Sequence, residues 1–107
     1  MSEAPKSQVL KLADLVSYQE GSVVSRQITI ADAGNVTLFA FDAGQELSEH
    51  TAPFDALAHI IEGEVEIRIS GKLYLLNAGE VIIMPANEPH GVKAKTKFKM
   101  LLTMIRA

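Results

Sequence analysis

Apolar residues recur in this chain mostly at every second position, in short runs broken by glycine and proline. The cleanest alternation begins at Glu64, where Val65, Ile67 and Ile69 fall on one face and Glu64, Glu66 and Arg68 on the other. A period of two is the pattern of a half-buried strand. Residues 23–30 (VVSRQITI) are rich in β-branched side chains and predict a strand. Residues 36–42 (VTLFAFD) predict another, with Thr37, Phe39 and Phe41 on one face and Val36, Leu38 and Ala40 on the other. Both of those faces are largely apolar, so one meets a core and the other a second sheet or a partner chain. Further strands are predicted at 57–62, 73–76 and 81–84, the last (VIIM) reading as buried on both faces. The final strand covers 97–105 and places Phe98, Met100, Leu102 and Met104 together.

Turn signals separate these runs. Gly34 and Asn35 predict a hairpin with positive-φ residues, and Ser70-Gly71 predicts a second. Gly44 opens a loop that ends at His50, and Pro85 and Pro89 bracket a loop that ends at His90. Residues 8–18 (QVLKLADLVSY) set Val9, Leu12 and Val16 at near-helical spacing; a short helix or turn fits, and so does a strand entering a barrel. Residues 1–7 are polar, carry Pro5 and read as a loose tail. Eight or nine short strands with turns every six to twelve residues predict an all-β sandwich or barrel. One domain spans residues 1–107, with its barrel over about 20–106.

Composition narrows the partners. The 107 residues are 48% hydrophobic and 21% charged, a folded composition with room for one modest core. A net charge of −3 offers no field for nucleic acid or an anionic membrane. The absence of cysteine excludes disulfides, thiolate metal sites and cysteine nucleophiles, and suits a reducing compartment. No apolar run approaches the ~18 residues of a membrane span, and no basic-then-apolar leader opens the chain. These features predict a cytoplasmic protein.

The chemistry concentrates in two segments that run from a glycine to a histidine, GQELSEH (44–50) and GEVIIMPANEPH (79–90). Their spacing resembles the two motifs of the cupin family. In the first family motif a glycine is followed by five residues, His-x-His, three or four residues, a glutamate, six residues and a glycine. Gly44, His50 and Gly63 fall in that frame, while Ala52 stands at the second histidine and Ala56 at the glutamate. The second motif is glycine, five residues, Pro-x-Gly, two residues and histidine. Gly79, Pro85 and His90 match it, with Asn87 at the glycine, where asparagine tolerates left-handed backbone. The resemblance covers roughly residues 36–105 and implies a double-stranded β-helix, the jelly-roll barrel.

The resemblance also implies a metal. Family sites use three histidines and a carboxylate, a set suited to divalent Zn, Mn, Fe or Ni. Here His50 and His90 occupy ligand positions, and a third donor is required. Asp55, one residue before Ala56, and His59, three after it, are the candidates. Simple alternation from an inward Ala56 turns His59 outward unless a bulge intervenes. Asp55 lies on the loop side, where it also fits a turn cap. Two functions follow: a metal-dependent small-molecule enzyme, or a non-catalytic small-molecule binding or sensing module without metal. A purely structural barrel is a third. Met84, Met100 and Met104 read as core filler. Lys93, Lys95, Lys97 and Lys99 read as a solvated ribbon that guards an edge. Apolar residues on both faces of 36–42 and at 101–105, with the family's habit, predict a homodimer.

Overall fold

A computed structural model describes residues 3–106. Among them nine strands follow one 3-10 turn at Leu12–Leu15: β1 Val23–Ala31, β2 Gly34–Phe41, β3 Glu46–His50, β4 Phe54–Glu62, β5 Glu64–Ile69, β6 Lys72–Asn77, β7 Val81–Met84, β8 His90–Ala94 and β9 Phe98–Arg106. They form two sheets, β1-β2-β9-β4-β7 and β3-β8-β5-β6, with antiparallel pairing throughout. Only β1–β2 and β5–β6 are hairpins within one sheet; every other connection carries the chain across to the opposite sheet. The links β2–β3, β8–β9, β4–β5 and β6–β7 therefore set the strands of the two sheets opposite one another in matching order. This is the jelly roll that the motifs implied.

The core lies between the sheets. Along β5 the burial follows the sequence alternation, with Val65 and Ile67 fully buried and Glu64 and Arg68 exposed. Phe41 and Phe98 stack across β2 and β9 with ring centroids 4.5 Å apart. Gly63 is the pivot between β4 and β5. Its φ is +86°, and a Cβ there would run into the Lys97 carbonyl and the Phe98 side chain, so only glycine lets the chain change sheets at that point.

Several expectations are revised. The β1–β2 turn is Asp32-Ala33, and Gly34 already opens β2, where a Cβ would collide with the Met104 carbonyl oxygen. Residues 46–50 are a strand rather than part of a loop. β7 ends its sheet, so Val81 and Ile83 are 55% and 61% exposed, although composition alone predicts burial on both faces. The 8–18 segment contains the short helical turn and no strand. It lies over the outer face of β2, where Val16, Leu38 and Ala40 form a second buried cluster flanked by Leu12, Leu15 and Tyr18. The outer face of 36–42 is thus covered by the chain's own N-terminal segment. Residues 3 and 4, expected in a tail, are tied to the edge of β1. Ala4 N–H donates to the Ile28 carbonyl at 3.1 Å, and Glu3 accepts from Ile30 N–H at 2.9 Å.

Lys99 departs from the solvated ribbon. It is 9% exposed beneath the N-terminal segment, where its Nζ donates to the Ala13 carbonyl and pairs with Glu62 at 3.1 Å. The Tyr18 ring centroid lies 5.0 Å from the same ammonium.

Candidate functional site

His50 ends β3 and His90 begins β8, its neighbour in the four-stranded sheet. Leu47 pairs with Val92 and His50 pairs with His90, so two residues of β3, Ser48 and Glu49, oppose Gly91 alone. That is a β-bulge, and its consequence is specific. Val92 is buried and Leu47 packs against the interior cluster, so both point inward. Uninterrupted alternation from Leu47 would turn Glu49 inward and His50 outward. The extra residue restores His50 to the inner face, level with His90.

The two imidazoles meet edge to face, with centroids 4.5 Å apart and planes at 65°. Each makes the same backbone contact two residues upstream. His50 Nδ1 lies 2.8 Å from the Ser48 carbonyl and His90 Nδ1 lies 3.2 Å from the Glu88 carbonyl. A carbonyl only accepts, so each Nδ1 carries the proton, and in the neutral ring each Nε2 keeps its lone pair. This is the outer-shell arrangement that orients metal-ligating histidines. His90 is 6% exposed, whereas His50 is open to solvent. Burial lowers the His90 pKa below the ordinary histidine value; the Glu88 carbonyl opposes that shift and His50 adds to it. His90 is therefore held in the neutral form that a ligand must have.

The other candidates point elsewhere. His59 keeps the outward parity that alternation predicts, because the only irregularity between β4 and β9 falls after Ile60. On β4, Ala56, Ala58 and Ile60 are buried, while His59 sits between Val81 and Leu101 on the outer face. Asp55 is exposed, and its carboxylate accepts from Ala86 N–H at 2.9 Å, a turn-capping role. Among the described residues no three His, Cys, Asp or Glu side chains converge as a metal-binding group. The family's set of three histidines and a carboxylate does not fit, since Ala52 and Ala56 supply no donor. Two imidazole nitrogens do fit. What Ala56 meets instead is sulfur: its direct cross-strand neighbours are Met84 on β7 and Met104 on β9.

The rim around the pair is cross-tied. Asn87 adopts φ +66°, as its place in the motif requires, and its N–H donates to the Ala52 carbonyl at 2.8 Å. That bond and the Asp55–Ala86 contact join the 51–53 and 85–89 loops. Sequence reasoning missed the bulge, the Ser48 and Glu88 carbonyls and the methionine neighbours of Ala56. The frame of the first motif was a signal for the bulge, because a histidine required on the inner face forces an irregularity in the strand before it.

A family model described as a cupin domain matches residues 37–106. The chain belongs to the cupin family. Its similarity to individual solved structures extends over nearly the whole chain. A conserved protein of unknown function from Streptococcus pyogenes superposes with a TM-score of 0.92 at 33% identity, over 100% of this chain and 96% of that one. A cupin superfamily protein from Desulfitobacterium hafniense gives 0.91 at 29% identity, over 99% and 97%. In sequence, a pyrimidine/purine nucleoside phosphorylase from Hydrogenovibrio crunogenus is 31% identical over 99 residues, 90% of each chain.

Proposed function

We propose that this cupin binds a metal ion at the mouth of its barrel through Nε2 of His50 and His90, leaving positions open for a small-molecule ligand. One observation carries the reading: a strand bulge brings His50 level with His90, and both rings commit Nδ1 to backbone carbonyls. A histidine pair with only a packing role has no need of matched outer-shell contacts. Two protein donors leave most of the coordination shell to exogenous ligands, so affinity for a divalent ion is modest and a carboxylate or hydroxyl of a small molecule completes the shell. Calorimetric titration with Zn(II), Mn(II), Fe(II) and Ni(II) tests this. The expected result is one ion per chain, lost in the His50→Ala, His90→Ala variant; equal binding in that variant overturns the reading.

A second reading takes its lead from the Hydrogenovibrio relative, whose similarity runs the length of the chain. It is phosphate-dependent cleavage of a nucleoside, read as release of free base from a nucleoside panel with inorganic phosphate.

The uncovered corner of the outer sheet face supports pairing with a second copy. Val81, Ile83 and Ile105 are 55%, 61% and 60% exposed there, around Leu57 and Thr103. Covering such a patch is favourable by roughly 25 cal/mol per Å². Light scattering at micromolar concentration is expected to give a dimer, and Ile83→Lys a monomer; a native monomer overturns the assembly.

A further inference from the structure

One charge beneath the N-terminal segment has no counter-charge. Arg26 stands opposite Leu38 in the β1–β2 ladder, and residues directly opposite share a face. Leu38 is buried under residues 12–18, so Arg26 lies on that same outer face, between Val24 and Ile28. Its Nη1 donates to the Leu15 carbonyl at 3.3 Å. Its Nε is buried and meets no partner; among the described residues no other buried side-chain nitrogen or oxygen is left so. The ion pairs among the described residues are Lys95–Glu66 and Lys99–Glu62, and neither engages Arg26. A guanidinium keeps its charge throughout the physiological range, and a buried donor without an acceptor is costly to hold. Nε and Nη2 form the edge away from Leu15, the fork that receives a carboxylate through two parallel N–H···O bonds.

A cavity of about 400 Å³ lies against the guanidinium, between residues 14–19 and β1. Small-molecule sites run from about 300 to 1,000 Å³, so a short-chain ligand fits it. Val16 and Val24 supply apolar wall, and Ser17 and Gln19 lie at the solvent side. Asp14 lines the cavity as well, without pairing with Arg26. It limits the charge the cavity accepts: a monoanion is drawn to the guanidinium, whereas a dianion such as phosphate is also repelled by Asp14. Residues 16–19 belong to no helix or strand, so a small outward shift of that stretch admits an oxygen to Nε.

We propose that this cavity, on the outside of the barrel, is a second binding site, taking a small monocarboxylate with a short apolar tail. The carboxylate meets the Nε–Nη2 edge of Arg26 and the tail lies along Val16 and Val24. Such a ligand bridges β1 and the N-terminal segment. The site is independent of His50 and His90.

The test is amide NMR titration of the full chain with butyrate and with benzoate, with benzamide and inorganic phosphate as controls. Arg26→Met, Arg26→Lys, Asp14→Asn and the double alanine variant of His50 and His90 are compared with the native chain, and circular dichroism verifies each fold. The expected result is a saturable shift of Ser17, Tyr18 and Arg26 with either carboxylate and none with benzamide or phosphate. Arg26→Met should abolish it, and Arg26→Lys, which keeps the charge and loses the fork, should weaken it by about tenfold. Asp14→Asn should tighten it by up to about fivefold. The double alanine variant should bind as the native chain does. Absence of a saturable shift at 14–19 with both carboxylates overturns the site, as does undiminished binding in a folded Arg26→Met chain. Phosphate or benzamide binding as well as the carboxylates overturns the ligand class. Loss of the shift in the double alanine variant overturns the independence of the two sites.

Discussion

Beneath the N-terminal segment, Tyr18, Glu62 and Lys99 gather around one another against the outer face of the larger sheet. The ammonium pairs with Glu62 at 3.1 Å and donates to the Ala13 carbonyl, and the Tyr18 ring centroid lies 5.0 Å from it. At the barrel mouth, His50 and His90 also stand close, 4.5 Å between ring centroids, yet each donates away from the other to a backbone carbonyl. The first group is closed: its polar atoms satisfy each other, and its work is to fasten residues 12–18 over Leu38 and Ala40. The second is open, with an unshared pair left on each ring. Proximity of polar side chains does not separate a clasp from a site; unused valence does.

The sharpest way to break that contrast is to delete Glu49. Without the bulge, alternation turns residue 50 outward. The expected outcome is complete loss of metal binding by titration with near-native circular dichroism; retained binding would show that the rings do not need the bulge. Next in size, the Ala52→His, Ala56→Glu variant restores the family's set of donors. It should raise Zn(II) affinity by about tenfold or more, measured by competition with a chelating dye.

The clasp makes its own prediction. Burial, with Glu62 adding charge repulsion and a hydrogen bond, pushes the Tyr18 pKa up to about 12 from the ordinary 10.0. A raised folded-state value means the stabilisation is whole below about pH 10 and is lost as pH climbs to about 12. Denaturant midpoints between those limits should fall for the native chain and fall less for Glu62→Gln. A midpoint that stays level across the window would refute the coupling. The smallest effect concerns His90, whose pKa is lowered chiefly by burial, with His50 a minor contributor. A lowered value makes its contribution present above the ordinary histidine pKa and lost as pH falls through the folded one. NMR titration of the ring should place His90 below an unstructured histidine, and His50→Ala should move it up slightly.

The strands were legible because alternation is written residue by residue, and β5 reads in the fold as it reads in the chain. The histidine pair was legible through the glycine-to-histidine frames of the two motifs, and Asn87 through its tolerance of positive φ. The bulge at Ser48-Glu49 was signalled only indirectly, by the frame of the first motif, since no composition marks an extra residue in a strand. Nor was the covering of β2 by residues 12–18, a contact between segments that lie apart in the chain. Val81 and Ile83 misled for a related reason: an apolar run predicts a strand and leaves open whether that strand lies at the centre of a sheet or at its rim. His59 followed plain alternation because its irregularity falls later, after Ile60.

The tie between Asn87 and Ala52, with Asp55 holding Ala86 beside it, has a kinetic consequence. A doorway whose two jambs are bolted together has no door. A small molecule bound at this mouth, as proposed above, would enter and leave through a fixed aperture, sorted by girth and without waiting on a closing movement. Exchange at this mouth should follow simple one-step kinetics, with an observed rate that rises linearly with ligand concentration and never saturates.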